Sequence, residues 1–432
     1  MTDIYEIAEY TLEALKKSGA DAAQCIVSKS KKDELNVDGG KFSLMRSTFN
    51  TSISMKAIKD GKKGVTSINQ ATKEAIDEAA DQCISAAQSS VPDEAEQIAP
   101  FTAKAEYKTG VFEPELDKLF DRIEEFMSQT AAEYPKIILE QLISDYEHSE
   151  KLYMNTNGTS LKYEHGEYSF NTMFSAHEGE KASSFNGYFC ALDSLDKPFM
   201  DAGMQRQLLA ESEKQLDTVS PSEKFVGRVI YSPDCFNELL QTALENFASS
   251  GVLIDGTSPW KDALNTKVAS EKLNLRSVPL DGRTVVGQRF TSDGYPVEDM
   301  DIIIDGVLKT FILSQYGANK TGFPRSLNSG NNLEVLPGDK ALEEMISGID
   351  RGLMVNRFSG GQPSSNGDFS GVAKNSFLIE NGRVVSAVSE TMISGNIIDM
   401  LNNIVAVSKE QTTDGISFMP WAEFDGVTVS GK

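Results

Sequence analysis

Turn-forming dipeptides recur through the second half of this chain, and they constrain its fold more than any other feature. Asp-Gly, Asn-Gly and Gly-Gly pairs adopt the left-handed backbone that tight hairpin turns require. Because short apolar segments separate them, the chain must reverse direction many times. The pattern predicts short antiparallel strands in a sheet or a barrel-like core. Seven of these dipeptides carry the prediction, and they begin at Asp255, Asp281, Asp293, Asp305, Gly360, Asn381 and Asp425.

The first 220 residues instead alternate between helical and extended patterns. Apolar residues at helical spacing predict helices from Ile4 to Ser18 and over residues 73–88, 114–128 and 200–216, with Phe120 on the apolar face of the third. Alternating patterns predict strands over residues 24–28, 32–44, 51–58, 64–68, 136–147, 151–155, 160–165, 167–175 and 181–192. The basic stretches 29–32 and 59–63 are interpreted as solvated hairpin ends.

These patterns together predict an α+β protein, with helices packed on antiparallel sheets. We expect an N-terminal α+β segment (1–97), a second α+β segment packed with it (98–220) and a mainly-β C-terminal domain (221–432). Residues 89–96 and 218–223 are polar connectors between them. A chain of 432 residues is long enough for two or three such cores.

A single amphipathic helix, residues 233–248, opens the predicted C-terminal domain after a strand at 227–231. Ser232 is placed to cap it, and Pro233 suits its first position. Its apolar stripe consists of Phe236, Leu239, Leu240, Ala243, Leu244 and Phe247.

Charge and cysteine content exclude several function classes. The net charge is −23 and no basic stripe is present, so direct nucleic-acid binding is not expected. No apolar run approaches the length of a membrane span, and the acidic N-terminus lacks the features of a signal peptide, so we expect a cytoplasmic protein that does not bind membranes. Four cysteines without C-x-x-C spacing are expected to be reduced and buried: Cys25, Cys83, Cys190 and Cys235.

Four segments of the C-terminal half, in order and with similar spacing, carry a family resemblance. Residues 305–316 read DGVLKTFILSQY, 350–355 read DRGLMV, 367–382 run from GDFSG to FLIENG, and 389–396 read SETMISGN. They are similar to motifs of the TldD/PmbA family, whose members are described as peptidases and as candidate modulators of DNA gyrase. The chain resembles the PmbA/TldE type of member in particular.

The resemblance implies a zinc motif, His-Glu-x-x-x-His, on the helix at 233–248, and this chain departs from it. The motif's two histidines and its glutamate correspond here to Gln241, Thr242 and Asn246, and no cysteine follows Cys235 to supply the family's late third ligand. We therefore expect no catalytic residue, no metal ligand and no cofactor in this chain, with zinc only in a TldD-like partner. The resemblance implies that partner, or a homodimer, and an unfolded peptide substrate held by sheet-edge pairing.

Other candidate sites have simpler interpretations. His177-Glu178 begins like a zincin motif, but no second histidine follows, and the context is a strand and a turn. Cys235 lies beside the apolar stripe, where a buried thiol is inert. The glycine-rich stretch 359–367 lacks the Gly-Lys-Ser/Thr of a phosphate loop, and Gly360, Gly361 and Gly367 either rim a peptide cleft or simply connect strands.

The sequence favours a zinc-free, non-catalytic subunit of a TldD-type metallopeptidase complex, which binds unfolded peptides and presents them for proteolysis. Two alternatives remain open. One is a self-contained peptidase with an unrecognised site. The other is a binding or regulatory protein linked to DNA gyrase and toxin–antitoxin systems.

Overall fold

The computed structural model describes residues 3–221, 223–389 and 391–431. Five residues that the sequence patterns include lie outside them: Met1 and Thr2 of the acidic N-terminus, Ser222 of the connector 218–223, Glu390 of the segment 389–396, and Lys432.

The first half of the chain forms one large sheet with helices packed on it. Its elements are α1 (Ile4–Lys17), β1 (Ala22–Asp38), β2 (Lys41–Lys59), β3 (Lys62–Ile68), α2 (Lys73–Ser89), β4 (Lys104–Gly110), α3 (Leu116–Glu133), β5 (Ile137–Asn155), β6 (Ser160–Glu178), β7 (Lys181–Ala182), β8 (Asn186–Leu192), a 3-10 turn (Phe199–Asp201) and α4 (Gln205–Lys214). The strand order is β3-β2-β1-β5-β6-β4, and β7 and β8 also pair with β6.

The second half forms a larger sheet. Its elements are β9 (Thr218–Val219), β10 (Phe225–Tyr231), α5 (Pro233–Phe247), α6 (Ser250–Ile254), β11 (Leu275–Ser277), β12 (Met300–Ile304), β13 (Val307–Leu308), α7 (Gln315–Thr321), β14 (Leu333–Val335), α8 (Leu342–Ser347), β15 (Arg351–Val355), β16 (Arg357–Gly360), β17 (Asp368–Lys374), β18 (Ser376–Glu380), β19 (Arg383–Val388), β20 (Thr391–Asn396), α9 (Ile397–Asn402), β21 (Ile404–Thr413) and β22 (Phe418–Ser430).

β22 organises this second sheet. Its path runs β13-β12-β11-β14-β22-β10-β15-β18-β19-β9, and β22 also pairs with β20 and β21. Most pairs are antiparallel, whereas β10–β15, β14–β22 and β9–β19 are parallel. The α+β class is confirmed, and the parallel pairs were not predicted.

The hairpin turns are explained by local backbone chemistry. Asp305-Gly306 and Asn381-Gly382 have positive φ at both residues and join β12 to β13 and β18 to β19, as predicted. The turn predicted at Asp425-Gly426 is wrong. These residues lie inside β22, where Asp425 and Gly426 together oppose the single Arg228 of β10 and Gly426 has φ 81°. The pair therefore forms a bulge, in which a left-handed glycine accommodates the extra residue.

Several predicted boundaries in the first half are also wrong. The turn between the first two strands lies at Gly39-Gly40, so the predicted strand 32–44 spans it. The stretch 29–32 is the middle of β1 and not a hairpin end, whereas 59–63 is a hairpin end as predicted.

The segments predicted as pairs of short strands, 136–147 with 151–155 and 160–165 with 167–175, are the continuous strands β5 and β6. The predicted strand 181–192 is divided into β7 and β8, and the predicted helix 200–216 is the 3-10 turn followed by the shorter α4. Phe120 is exposed and stacks on Phe42, with ring centroids 4.4 Å apart, instead of lying in the core.

Within the described residues, three large hydrophobic cores and a small fourth one, formed by Tyr153, Leu161 and Phe290, hold the molecule together. The first packs α1 and α2 on β1 and β2, and includes Ile76, Ala80 and Cys83 of α2. The second joins the two sheets, because side chains such as Phe170 and Tyr188 pack with Ile230 and Trp421. The third surrounds α5. All four cysteines are free and buried, as predicted. Among the described residues, every helix is too short or too polar to cross a lipid bilayer.

Candidate peptide-binding cleft

The helix α5 forms as its sequence predicts. Ser232 caps it, since its Oγ accepts a hydrogen bond from the Cys235 amide at 3.4 Å, and Pro233 occupies the first turn. The Ser232 hydroxyl also donates to the backbone oxygen of Asn356 at 3.1 Å, which ties the helix start to the end of β15. Every residue of the predicted apolar stripe is buried. One face of α5 is therefore fixed in the core and the opposite face is free for other contacts.

The three positions of the zinc motif do not converge on α5. Gln241 is exposed and its Nε2 donates to Asn237 Oδ1 at 3.4 Å, while Thr242 and Asn246 are half-buried. The helix continues without interruption to its end, where the Ala248 amide donates to the Leu244 oxygen at 2.9 Å. Residues five apart on a regular helix lie about 140° apart around its axis. Positions 241 and 246 therefore point in different directions.

The three histidines lie on strands of the first sheet and not on this helix. His148 is on β5, and His165 and His177 are on β6. His177 Nε2 is 3.0 Å from Ser175 Oγ in the strand-and-turn context expected of it. Within residues 3–221, 223–389 and 391–431, no cluster of three or more His, Cys, Asp or Glu side chains is arranged to hold a metal ion.

A small cavity of 320 Å³ separates α5 from β16 and the loop after it. Its lining includes Thr242, Gly360 and Gly361, so the structure brings together one motif position and two of the three glycines named from the sequence. Gln241 and Asn246 are not part of the lining. Gly367 packs elsewhere: with φ +94°, it lies against the Phe247 ring at the end of α5.

A larger cavity of 650 Å³ lies at the other side of the first turns of α5. Its helix wall carries Asp234 and Glu238, and its opposite wall carries Phe185 and Phe189 from β8 and the segment before it. Cys235 and Glu238 line both cavities. We therefore describe the two cavities as one cleft that passes beside the N-terminal half of α5.

The larger cavity is acidic. Burial, followed by the nearby Asp414 and Glu238, raises the pKa of Asp234 to about 6, and burial also raises the pKa of Glu238. Both carboxyl groups remain exposed to the water of the cavity. Burial raises the pKa of the Cys235 thiol well above its ordinary value, so the thiolate needed for nucleophilic attack is disfavoured.

Two strands present open edges at this cleft. Within the described residues, β8 pairs only with β6, and β16 pairs only with β17. The Ala191 amide of β8 points away from β6, because it donates to the Asp414 oxygen at 2.8 Å. Since successive amides alternate along a strand, the Phe189 amide points the same way. The two edges are linked where Arg357 Nη1 and Asn375 Nδ2 donate to the Phe185 oxygen, at 2.9 and 3.0 Å.

Comparison with known proteins identifies the family. Residues 224–431 match the domain described as the PmbA/TldA metallopeptidase C-terminal domain, and residues 23–87 match domain 1 of the same group. Together the two matches cover more than half of the chain. The chain belongs to the PmbA/TldD family.

Individual members of the PmbA/TldD family match shorter stretches. The Metalloprotease PmbA of Escherichia coli O157:H7 is 32% identical over 155 residues, which cover 35% of this chain and 34% of that protein. The zinc metalloprotease TldD homolog of Saccharolobus solfataricus is 28% identical over 220 residues, covering 47% and 49%. The chain thus spans about a third to a half of the length of these curated relatives.

Solved structures of the PmbA/TldD family share the whole fold. TldE from Thermococcus kodakarensis superimposes with a TM-score of 0.82 at 22% identity, covering 98% of this chain and all of that one. A candidate modulator of DNA gyrase from Bacteroides thetaiotaomicron gives 0.84 at 24% identity, with both chains fully covered. At these identities the likeness establishes the architecture.

The sequence did not single out the acidic residues of the cleft. Asp234 and Glu238 belong to the polar face of an amphipathic helix, which is usually solvated. Asn356 and Asp414 lie more than a hundred residues further on. The one available signal was Asp414-Gly415, a further turn dipeptide, and it does not point to a cavity.

Proposed function

We propose that this chain is a zinc-free, non-catalytic PmbA/TldE-like subunit of a TldD-type metallopeptidase complex, which binds unfolded peptides and presents them to a zinc-bearing partner. The observation that carries the proposal is the pairing of two features on α5. The motif positions hold Gln241, Thr242 and Asn246, which are poor zinc ligands. A cleft bordered by open strand edges nevertheless passes beside the same helix.

Sheet-edge pairing is the binding mode that fits this cleft. An extended peptide laid against β8 gains main-chain hydrogen bonds whatever its sequence, so many unfolded segments bind with little selectivity. The exposed Phe189 ring and the outward amide of the same residue offer one apolar and one polar contact. In the complex, zinc of the partner would polarise the peptide carbonyl and activate water.

Measurements of zinc content and activity on tag-free protein test whether catalysis belongs to the TldD-like partner and not to this chain. We expect stoichiometric zinc to be absent from the purified chain, and we expect it not to cleave unstructured peptides unless a TldD-like chain from the same source is added. Elemental analysis and peptide turnover, measured for each chain alone and for the mixture, provide the readouts. One tightly held zinc per chain, or chelator-insensitive turnover by the chain alone, would favour the self-contained peptidase.

A pair of variants at one position tests the binding mode. Phe189→Pro removes the outward amide of β8, and proline is tolerated at a strand edge. Losing one main-chain hydrogen bond should weaken peptide binding about fivefold, corresponding to about 1 kcal/mol. Phe189→Ala is the matched control, since it removes the ring and keeps the amide. Equal affinities of the two variants in a fluorescence anisotropy titration would exclude pairing at this edge.

A further inference from the structure

The larger cavity has an unbalanced charge. Asp234, Glu238 and Asp414 line it, and among the residues that the structure describes Arg357 is its one cationic lining residue. Within the described part of the chain, the side-chain carboxylates of Asp234 and Glu238 form no hydrogen bond and no ion pair. The Arg357 guanidinium is engaged by the Phe185 backbone oxygen. With three carboxylates and one guanidinium in its lining, the cavity carries a net negative charge.

An independent observation at Asn356 also indicates a missing donor. Asn356 lines this cavity and is 8% exposed. Its Nδ2 donates to Glu211 Oε2 at 2.6 Å, which fixes the orientation of the amide, and its Oδ1, with less than 1 Å² of accessible surface, has no hydrogen-bond partner among the described residues. A buried acceptor without a donor costs about 1–3 kcal/mol. A ligand N–H at this position would remove that cost.

The opposite wall is apolar and accessible. Phe185, Phe189 and Met173 are 54%, 40% and 41% exposed, although they are large hydrophobic residues. An acidic wall facing an aromatic wall suits a cation on an alkyl stem, because the stem packs on the rings and the head reaches the carboxylates. A divalent metal fits less well, since no cluster of three ligating side chains occurs among the described residues.

We propose that the larger cavity is a specificity subsite that binds the basic side chain, lysine or arginine, of a peptide lying in the cleft. The ammonium or guanidinium group would contact Asp234 and Glu238 and donate to Asn356 Oδ1, while its stem packs on Phe185 and Phe189. This inference rests on the proposed peptide-binding function and adds a preference for basic residues to it.

Three fluorescent, unstructured peptides that differ at one central position test the proposal with the full chain. The position carries lysine, norleucine or glutamate, and anisotropy gives each affinity. A charge-assisted hydrogen bond should favour lysine over norleucine about tenfold. Glu238→Gln and Asp234→Asn should each reduce this ratio severalfold. Glu245→Gln, which removes the same charge from the same helix outside both cavity linings, should leave it unchanged.

The outcomes separate the two proposals. If lysine and norleucine peptides bind equally tightly, peptide binding stands and the basic subsite is refuted. If no peptide binds, the proposed function fails, and the subsite is then decided by thermal unfolding with millimolar butylammonium chloride, against butanol and matched sodium chloride. A stabilisation by butylammonium alone, lost in Glu238→Gln, would support the cation subsite, and its absence would overturn it.

Discussion

Rebuilding the zinc motif on α5 is the strongest test of the proposal that this chain is non-catalytic. The triple variant Gln241→His, Thr242→Glu and Asn246→His restores His-Glu-x-x-x-His at the family's positions. We expect neither stoichiometric zinc binding nor peptide cleavage. A regular helix places Cα atoms five residues apart about 9 Å from each other, compared with about 6 Å for residues four apart. Two imidazole nitrogens bound to one zinc must come within about 3.4 Å.

The observed helix makes no such approach possible without distortion. Its hydrogen bonds continue to Ala248, and all six residues of the apolar stripe are at most 8% exposed on the face that packs in the core. Two imidazoles also leave a catalytic zinc one protein ligand short, because no cysteine follows Cys235. The hydrogen bonds that orient zinc ligands would also be absent from the rebuilt site, which would lower affinity or activity about a further 10–100-fold.

A matched control isolates the geometric part of this reasoning. The double variant Gln241→His and Glu245→His places two imidazoles four residues apart on the exposed face of the same helix. Calorimetric zinc titration should show tighter binding by this control than by the triple variant. Tight one-to-one zinc binding with peptide turnover in the triple variant, exceeding the control, would show that the chain has lost only its ligands and that the non-catalytic assignment is too strong.

Three further predictions concern stability and partners. Arg228→Met should lower the free energy of unfolding in urea by about 2–3 kcal/mol, because it leaves the Glu423 carboxylate buried without a partner. That residue is 1% exposed and its carboxylate lies 2.7 Å from the Arg228 guanidinium. Adding Glu423→Gln should recover most of the lost stability. Since the pKa of Asp234 is raised to about 6, its protonated form favours folding, so this stabilisation is complete below about pH 4 and is lost as pH rises through about 6. The free energy of unfolding of Asp234→Asn should therefore equal that of the parent near pH 4 and exceed it by about 1 kcal/mol near neutral pH. This value is reduced from about 3 kcal/mol because solvent in the cavity screens the charge. Equal stability of the two proteins at both pH values would show that the pKa of Asp234 is not raised. With a net charge of −23, the chain should not bind duplex DNA tightly at physiological salt, and a submicromolar, sequence-independent complex would contradict this.

The elements that the sequence predicted well are those whose signals are local. Helix α5 matches its predicted span to within one residue, because a serine cap, a first-turn proline and a helical apolar stripe all lie within sixteen residues. The hairpins at Asp305-Gly306 and Asn381-Gly382 are right for the same reason. Each of these signals acts through neighbouring backbone atoms, so it can be evaluated without knowing the rest of the fold.

The long strands were predicted incorrectly because their stabilising partners are distant in sequence. Lys32 resembles a solvated end residue, yet it lies within β1, where its Nζ is 3.0 Å from Glu147 and 3.4 Å from Asp145 on β5. More than a hundred residues separate these partners. A run of charges in mid-strand is stable only when the neighbouring strand supplies the opposite charges.

The cleft was beyond sequence reasoning for a related reason. Its helix wall belongs to α5 in the second half of the chain, and its aromatic wall belongs to β8 and the segment before it in the first half. Asn356 lies between the end of β15 and the start of β16. The polar residues of α5 are ordinary when considered alone. They form a candidate site only because β8, some forty residues earlier in the chain, lies opposite them and supplies no positive charge.

The position of β22 determines the order in which the second half of this molecule can fold. This strand lies between β14 and β10 and also pairs with β20 and β21, although it is the last strand of the described chain. Residues 225–413 can form hairpins as they emerge from the ribosome, but the two flanks of the sheet join only after residues 418–430 have been synthesised. Such long-range closure is slow and leaves the edges of β10 and β14 unpaired meanwhile. We therefore expect this half of the chain to need protection from chaperones until β22 has been synthesised.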